Sequence, residues 1–337
     1  MKAMILNEPA PIEQRPLQHA ELDIPVPGEK QILVKVSVCG ACHTDLDEAE
    51  GRLTPSIKPV IPGHQVVGTA TEKGKDAKKY NTGDRVGITW LYKACEKCEF
   101  CMRGQENLCP DAQWTGKDAN GGYAEYMVID EDFAYPIPER FTDAQTAPLL
   151  CAGVIGYRTF RLADIKAGES VGLFGFGASA HIVIQILRHK FPDNPVFVFT
   201  KTEKHAELAK KLGAVWTGRS GDVPGQKINK IMDFTPVGEC DRDALGVLAP
   251  GGRLIINAIR KETPVPPLDY AEYLWLEKEI KSVANVTRRD AEEFLPLAAE
   301  IPIEPTIEEF PLSEANGVLL KIKKSELRAA AVLNVEK

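Results

Sequence analysis

The sequence predicts an α/β protein of two domains, one mainly β and the other a parallel sheet with helices on both faces. The chain has 337 residues, more than a single hydrophobic core usually supports, so we expect two domains. Up to about residue 150 the chain reads as short β-rich runs, whereas from Ser170 onward apolar strands alternate with helical stretches. The residue pattern changes around Val154, where we expect the first domain to end.

The first part has the pattern of an all-β unit. Residues 32–38, 66–70 and 85–88 are rich in β-branched and apolar side chains, which favour strands. Glycines separate these runs at the expected turns: Gly28, Gly40, Gly63 and Gly83. Short strands with glycine between them indicate an all-β unit of strands and turns.

The second part alternates strands with helices. We expect strands at residues 171–174, 196–199, 230–234 and 253–257, and helices at 180–189 and 203–212. The second helix is followed by Gly213, the residue type that most often ends helices. Continuous apolar strands separated by helices predict a parallel sheet covered on both faces. Strand-like segments return after about residue 290, and we expect them to rejoin the first domain.

Charge and hydropathy exclude some classes of partner. The chain has 41 basic and 48 acidic residues, a net charge of -7, without the basic stripe that nucleic acid requires. No apolar run approaches the ~20 residues that span a bilayer. The start reaches Asn7 and Glu8 too soon for a secretory signal, so we expect a cytoplasmic protein. Its eight cysteines are then metal ligands or buried thiols rather than disulfides.

Four cysteines lie within fifteen residues. Cys95, Cys98, Cys101 and Cys109 have the spacing Cys-x2-Cys-x2-Cys-x7-Cys. Two-residue gaps let thiolates converge on one tetrahedral ion, and four sulfur ligands are typical of structural zinc. An iron–sulfur cluster uses the same ligands. We favour zinc because the surrounding segment, about residues 90–112, is short and polar; such a site leaves no position open for chemistry.

A glycine-rich turn follows the first strand of the second part. Gly175, Gly177 and Ala180 fit Gly-x-Gly-x-x-Gly/Ala between a strand and a helix, the pattern of a dinucleotide-binding Rossmann domain. The next strand ends at Thr200-Lys201-Thr202, where an NAD site usually has an acidic residue. Lys201 could pair with a 2′-phosphate, so the sequence favours NADP(H) over NAD(H), although a surface lysine is also common.

Other candidate ligands are scattered. Cys42, His64 and Cys151 lie far apart in sequence, and for each the default interpretation is a buried cysteine or core histidine. Cys39 and Cys240 have the surroundings of core thiols. Spacing alone therefore does not connect these residues.

Several motifs in order along the chain resemble the zinc-dependent alcohol dehydrogenases of the medium-chain dehydrogenase/reductase family. They are CHTD at residues 42–45, Gly63-His64, GDRVG at 83–87, the four-cysteine segment, GGYAEY at 121–126, Cys151 and the glycine-rich turn. The resemblance implies a GroES-like catalytic domain of residues 1–152, completed by 289–337, and a Rossmann domain of residues 153–288. It also implies two zinc ions per chain.

The resemblance implies roles for the scattered residues. Cys42, His64 and Cys151 would bind a catalytic zinc with a fourth position for water or substrate. Thr44 would hydrogen-bond the substrate oxygen and move its proton, and Asp45 would hold His64 in one tautomer. By the same resemblance, His43 and Arg288 would contact the cofactor.

Two positions depart from the family pattern. Gln65 stands where many relatives have glutamate after the histidine ligand, which removes a negative charge and predicts a slightly more electrophilic zinc. Asp47 stands where many relatives have a proton-relay histidine. A carboxylate could relay protons, but we expect Asp47 to be an ordinary surface residue.

The implied reaction is reversible hydride transfer between NAD(P) and a small alcohol, with an aldehyde or ketone as product. Trp90 and Leu53 match positions that line the substrate pocket in relatives, although Trp90 could equally be core. We expect a primary or small secondary alcohol; a reductase of polyols or enals and a non-catalytic cofactor-binding protein are the alternatives. Relatives suggest a homodimer or homotetramer.

Overall fold

The computed structural model describes residues 1–301, 303–327 and 329–336. The chain divides into two compact units. The first consists of Met1–Cys151 and Val286–Lys337, and the second of Ala152–Asn285. The first unit is therefore made from both ends of the sequence.

The strands, in chain order, are β1 (Lys2–Leu6), β2 (Leu17–Glu21), β3 (Gln31–Ala41), β4 (Gln65–Lys73), β5 (Arg85–Ile88), β6 (Leu91–Lys93), β7 (Gln113–Trp114), β8 (Tyr126–Asp130), β9 (Ala134–Pro136), β10 (Val171–Phe174), β11 (Val196–Phe199), β12 (Trp216–Gly218), β13 (Ile228–Asp233), β14 (Leu248–Ile256), β15 (Glu279–Ser282), β16 (Ile307–Pro311) and β17 (Ala330–Asn334).

The α-helices are α1 (His43–Ala49), α2 (Glu99–Met102), α3 (Asp143–Thr146), α4 (Ala152–Ala163), α5 (Ala178–Lys190), α6 (Glu203–Lys211), α7 (Gly238–Val247), α8 (Tyr270–Tyr273), α9 (Arg288–Glu300) and α10 (Ala315–Lys323). Short 3₁₀ turns lie at Ile12–Gln14, Glu106–Leu108, Glu131–Phe133, Ala147–Leu150 and Leu312–Glu314. None of the helices in the described ranges is long and apolar enough to cross a membrane.

The first unit is built around a sheet in the order β16-β17-β3-β4-β5-β9, with β8 also pairing with β3. Except for the parallel β16–β17 pair, its neighbours are antiparallel. The long central strand β3 pairs with β17 from the other end of the sequence. The strands after residue 290 therefore complete the sheet of the first part.

The second unit is a parallel sheet in the order β12-β11-β10-β13-β14-β15. Counted along this unit, that order is 3-2-1-4-5-6, the doubly wound arrangement that binds dinucleotides. Alternate strand residues face two separate cores: Leu173 packs with α5, whereas Phe174 packs with α7. The predicted parallel sheet, buried on both faces, is confirmed.

The expected core thiols are buried where the sequence placed them. Cys39 is in β3 within the core of the first unit, and Cys240 is in α7 within the second core. Both are free thiols. Neither belongs to the candidate metal groups among the described residues.

Candidate metal centres and dinucleotide turn

One carboxylate fixes the start of α1 and its neighbour at once. Asp45 Oδ2 accepts a hydrogen bond from the Cys42 backbone N–H at 2.8 Å, and Asp45 Oδ1 lies 3.1 Å from His64 Nδ1. The Thr44 N–H in turn donates to Cys42 Sγ at 3.4 Å. Asp45 is fully buried. A proton on His64 Nδ1 satisfies this carboxylate and leaves Nε2 with a lone pair.

The β3–β4 pairing brings Cys42 and His64 together. Gly40 in β3 lies opposite Gln65 in β4, so the residues just beyond these strand ends are neighbours. His64 Nε2 is 3.6 Å from Cys42 Sγ. Gly63 has a φ of +96°, and a Cβ there would come within 2.4 Å of the Tyr123 ring. Glycine is therefore required at the turn that places His64.

Cys151 completes a set of three ligand atoms. It follows the 3₁₀ turn Ala147–Leu150, which packs on β3, β4 and β5. The ligand atoms of Cys42, His64 and Cys151 all lie within 4.8 Å of one another. Zinc bonds of 2.3 Å to sulfur and 2.0–2.1 Å to nitrogen in a tetrahedron separate those atoms by about 3.6 Å, which the Cys42–His64 distance matches. The donor set fits zinc with one position left over.

Crowded negative charge dominates the protonation of this group. Burial alone would lower the pKa of His64, but the Asp45 carboxylate and Cys42 outweigh it and raise that pKa. The pKa of Cys42 is also raised, first by its contact with the Cys151 thiol and then by burial. Both shifts favour protons where a divalent cation would otherwise sit.

The other residues expected at this site lie around the same helix. Thr44 is half-buried and His43 is exposed at the first turn of α1. The Trp90 ring centroid is 5.9 Å from that of His64, and Trp114 packs on its other side at 5.2 Å. Leu53 follows α1, and its N–H donates to the Asp47 carbonyl. Trp114 was missed at the sequence level, because nothing in its spacing connects it to Trp90.

The expectation that Asp47 is an ordinary surface residue is wrong. Asp47 is only 6% exposed. Its carboxylate forms an ion pair with the Arg52 guanidinium just beyond α1. The turn after α1 folds Arg52 back over the helix, which provides the positive partner that a buried carboxylate requires.

A buried glutamate next to Asp47 was also missed by the sequence analysis. Glu48 is 0% exposed, and neither of its carboxylate oxygens has a hydrogen-bond partner among the described residues. Burial, then the neighbouring Asp45, raises the pKa of Glu48 well above its usual range. It lies three residues after Asp45, a spacing that puts both side chains on the same helical face. That spacing was the available signal.

The four expected lobe cysteines come together as a second group. Their sulfur atoms all lie within 4.8 Å of one another, and Cys95 Sγ is 4.0 Å from Cys101 Sγ. Backbone N–H groups of Lys97 and Cys98 lower the pKa of Cys95 to about 7, whereas burial raises the pKa of Cys101 to about 12. Tetrahedral zinc–sulfur bonds separate sulfurs by about 3.8 Å, so this group also fits zinc.

Arg288 contacts the four-cysteine lobe. Its Nε lies 3.1 Å from Glu106 Oε1 and its Nη1 lies 2.8 Å from Glu96 Oε1. Its backbone N–H also donates to Glu106, and the guanidinium lies 4.9 Å from the centroid of the Phe133 ring. The lobe thus has a cationic partner at the start of α9. Contact of Arg288 with a cofactor stays a prediction.

The glycine-rich turn has the geometry of a phosphate-binding loop. Gly175 follows β10 with a φ of +77°, a conformation suited to glycine. A Cβ on Gly177 would meet no atom within 4 Å, so the backbone there is open to a ligand. Ala180 is fully buried in the first turn of α5, and no side chain of the described residues caps the α5 N-terminus. Free N–H groups at this helix end suit a pyrophosphate.

Lys201 lies beyond the end of the next strand. Thr200 follows β11 and donates its N–H to Gly218, and Lys201 is exposed in the turn before α6. Thr202 caps α6 by accepting from the His205 N–H at 3.3 Å. The first acidic residue after β11 is Glu203, already inside the helix. The turn therefore presents a cation and no carboxylate.

Known proteins are similar to this chain in sequence and in fold. Residues 28–139 match the alcohol dehydrogenase GroES-like domain. The probable alcohol dehydrogenase AdhA of Mycobacterium tuberculosis is 39% identical, with 99% of this chain and 97% of that protein covered. An alcohol dehydrogenase of Geobacillus stearothermophilus is 34% identical, with 100% and 99% covered. A cinnamyl alcohol dehydrogenase structure from Sorghum bicolor is 25% identical with a TM-score of 0.86, covering 99% and 97%.

These similarities extend over essentially the full length of both chains. They include the GroES-like segment of the first unit and the doubly wound sheet of the second. The chain belongs to the zinc-dependent alcohol dehydrogenases of the medium-chain dehydrogenase/reductase family, which are NAD(P)-dependent oxidoreductases.

Proposed function

We propose that this enzyme interconverts a primary or small secondary alcohol and its aldehyde or ketone, with one catalytic and one structural zinc per chain. The observation that carries the proposal is the single carboxylate of Asp45, which orients both Cys42 and His64 beside Cys151. A ligand set built this way leaves a fourth position for an exchangeable oxygen.

Each residue of the site has a separate task. When bound, zinc supplies Lewis acidity and the nicotinamide supplies or accepts the hydride. Asp45 holds the Nδ1 proton of His64, so that Nε2 stays available as a ligand. The hydroxyl of Thr44 hydrogen-bonds the substrate oxygen and moves its proton outward. Trp90 and Leu53 form walls that orient the substrate carbon.

The cofactor-binding residues are those expected from the glycine-rich turn and from the family resemblance. Gly175, Gly177 and Ala180 let the backbone approach the pyrophosphate, and His43 and Arg288 are further cofactor contacts. Domain boundaries at residues 152 and 288 separate this dinucleotide-binding part from the catalytic part. Thr200 and Lys201 lie at the expected adenosine ribose position, where the exposed ammonium of Lys201 favours NADP(H).

The first experiment is metal analysis together with turnover. We expect two zinc ions per chain and oxidation of NADPH with a panel of aldehydes. Thr44→Val should keep both metals while kcat falls ~100-fold or more, because general acid–base groups contribute about that much. Thr54→Val, which removes an exposed hydroxyl bonded only to Gly51, is the matched control. One zinc and no turnover would overturn the catalytic assignment.

Cofactor preference is tested at Lys201. Lys201→Ala should raise the KM for NADPH about tenfold, the equivalent of ~1.4 kcal/mol, and leave the KM for NADH unchanged. Lys204→Ala removes a neighbouring exposed ammonium from α6 and should change neither. An equal effect of both substitutions would show that the KM for NADPH depends on the total positive charge of this surface and not on the position of Lys201.

The substrate panel also separates the alternatives. A preference for polyols or for enals over simple aldehydes would indicate a reductase of those classes. Absence of turnover with two zinc ions bound would favour a non-catalytic relative. Pocket selectivity rests on about 1–3 kcal/mol per methylene, so the panel needs chain lengths that differ by single carbons.

We further propose a homodimer or homotetramer in the cytoplasm. The edge strand β15 is exposed along its whole length, and exposed Trp275, Leu276 and Ile280 lie beside or within it. An uncovered edge with apolar side chains suits pairing with a second copy. Light scattering should give a dimer or tetramer, and Ile280→Lys should shift it toward monomer. The proposed cytoplasmic location is supported by the cysteines, because all eight thiols are free, as expected in a reducing compartment.

A further inference from the structure

The function proposed above leaves one fully buried carboxylate beside the ligand group unused. Glu48 is completely inaccessible, and both of its oxygens lack a hydrogen-bond donor in the described part of the chain. Buried carboxylates are normally paired, hydrogen-bonded or coordinated to metals. Within the described chain, the groups that lower the pKa of Glu48 are His64, the Trp90 side chain and Lys117, and none of them forms a close ion pair with it.

Its position relates it to the ligand group. One oxygen of Glu48, one oxygen of Asp45 and a ring nitrogen of His64 all lie within 4.8 Å of one another. Asp45 is already engaged by Cys42 and His64 through its two oxygens. Glu48 therefore provides a second carboxylate on the same side of α1, and this one is uncommitted.

Two neutral polar side chains act on or near Glu48. The Trp90 side chain, a hydrogen-bond donor, lies near enough to the carboxylate to lower its pKa, and the buried Tyr123 is close enough to be affected by its charge. The lysine that acts on Glu48, Lys117, is paired with Asp118 at 2.7 Å. Among the described residues, the positive charge nearest to Glu48 in the metal-free chain is therefore a protonated His64, which loses that charge when its ring nitrogen binds a metal ion.

A cation held by Cys42, His64 and Cys151 would supply what is missing. Burial of an uncompensated ion costs several kcal/mol, and a nearby opposite charge offsets that cost most strongly where water is excluded. Two thiolates already balance the charge of a divalent ion, so long-range attraction to the whole group is small. An extra carboxylate strengthens retention of the ion through its short distance from the ligand group.

We propose that Glu48 is a positioning carboxylate that retains the metal ion of the Cys42–His64–Cys151 group. The inference rests on the proposed binding of zinc there. It revises the hypothesis drawn from Gln65, because the negative charge absent after His64 is present on α1 instead. Glu48 acts on the metal and its ligands and is not assigned a contact with the substrate.

Glu48→Gln tests this role with little change in shape. We expect a ten- to hundredfold lower affinity for the second metal ion in competition with a chelator, the range found when groups supporting metal ligands are altered. In the cobalt-substituted protein, the absorption of this site should shift while that of the four-cysteine lobe stays constant. Glu48→Asp, which keeps the charge, should bind metal closer to the wild-type protein than Glu48→Gln.

A stability measurement separates this role from a structural one. The metal-free Glu48→Gln protein should unfold at higher denaturant concentration than metal-free wild type, because the cost of burying Glu48, either as a charge or by uptake of a proton, is removed. A structural role predicts the opposite. Glu131→Gln is the control. Glu131 is also buried, but it accepts hydrogen bonds from the Lys78 and Lys79 N–H groups. Glu131→Gln should therefore lower the free energy of unfolding without changing the metal affinity.

The outcomes are distinct. If wild type binds two metal ions and Glu48→Gln holds the second equally tightly with an unchanged cobalt spectrum, this inference is overturned and the proposed function stands. If wild type binds only the lobe metal, both fail. Weaker retention with a stabilised metal-free chain supports the proposal.

Discussion

The two cysteine groups of the first unit gather their metal ligands in different ways. The four-cysteine lobe collects all its ligands within fifteen residues, and backbone N–H groups stabilise its first thiolate. The Cys42–His64–Cys151 group collects three ligands from distant segments, brought together by the β3–β4 pairing and the turn before Cys151. A local site is made by its own loop, whereas a dispersed site depends on the entire sheet.

This difference also separates their chemistry. The lobe has four ligands and no remaining position, as in structural zinc sites. The dispersed group has three ligands and unpaired buried polar atoms around it. Loss of one ligand should therefore affect stability at the lobe and turnover at the dispersed group.

The largest expected effect is on turnover. Cys151→Ser should lose the second metal ion and reduce kcat/KM at least about a thousandfold, since a Lewis-acid metal contributes several kcal/mol. Cys240→Ser, which alters a buried thiol of α7, should leave the metal content at two. Steady-state kinetics and metal analysis measure both, and full activity of Cys151→Ser would abolish the distinction between the groups.

At the lobe, Cys98→Ser should act mainly on stability. We expect the free energy of unfolding to fall by more than about 3 kcal/mol, the range typical of losing a structural metal. Denaturant unfolding measures this change, and limited proteolysis should cut first within residues 90–112. The dispersed group should keep its cobalt spectrum; a loss of that spectrum would mean that the two groups fold as one.

An intermediate effect is expected at the carboxylate that links two ligands. Asp45→Asn retains one acceptor but places an amide group against either the Cys42 N–H or the His64 Nδ1–H, so one hydrogen bond is lost. Metal affinity and kcat/KM should fall ten- to hundredfold. Asp130→Asn, which alters a cap at the Glu131–Phe133 turn, is the control and should change neither. Weaker metal binding at the four-cysteine lobe in Asp45→Asn would contradict the expectation that Asp45 affects only the Cys42–His64–Cys151 group.

The smallest expected effect concerns Arg288. Arg288→Gln removes partly exposed ion pairs with Glu96 and Glu106, each worth up to ~1 kcal/mol. Chelator should then remove the lobe metal a few times faster. The KM for NADPH is measured in parallel: a rise in KM without faster metal loss would assign Arg288 to the cofactor instead of the lobe.

Sequence reasoning was most successful where the determinants are local. Strands such as 171–174 and 196–199 were predicted because buried parallel strands are continuously apolar, and the lobe was predicted from spacing alone. The dispersed group required the family resemblance, because no local pattern connects residues 42, 64 and 151. Its assembly depends on strand register and on Gly63, which are properties of the folded sheet.

The errors concern buried charge. Asp47 was expected at the surface because carboxylates usually are, but Arg52 turns back to pair with it. Glu48 was overlooked although it shares a helical face with Asp45. Burial of a charged residue depends on partners that only the tertiary structure provides, so the helical spacing could indicate that Glu48 lies near Asp45 but not that it is completely buried.

The pairing of β17 with β3 has a consequence for how the protein is made. β17 lies directly beside the end of β3 that leads to Cys42, yet the ribosome synthesises it among the last segments of the chain. The second unit is continuous in sequence and can fold during synthesis, while the sheet around Cys42 still lacks a neighbour. The sheet around Cys42 is therefore complete only after β17 has been synthesised.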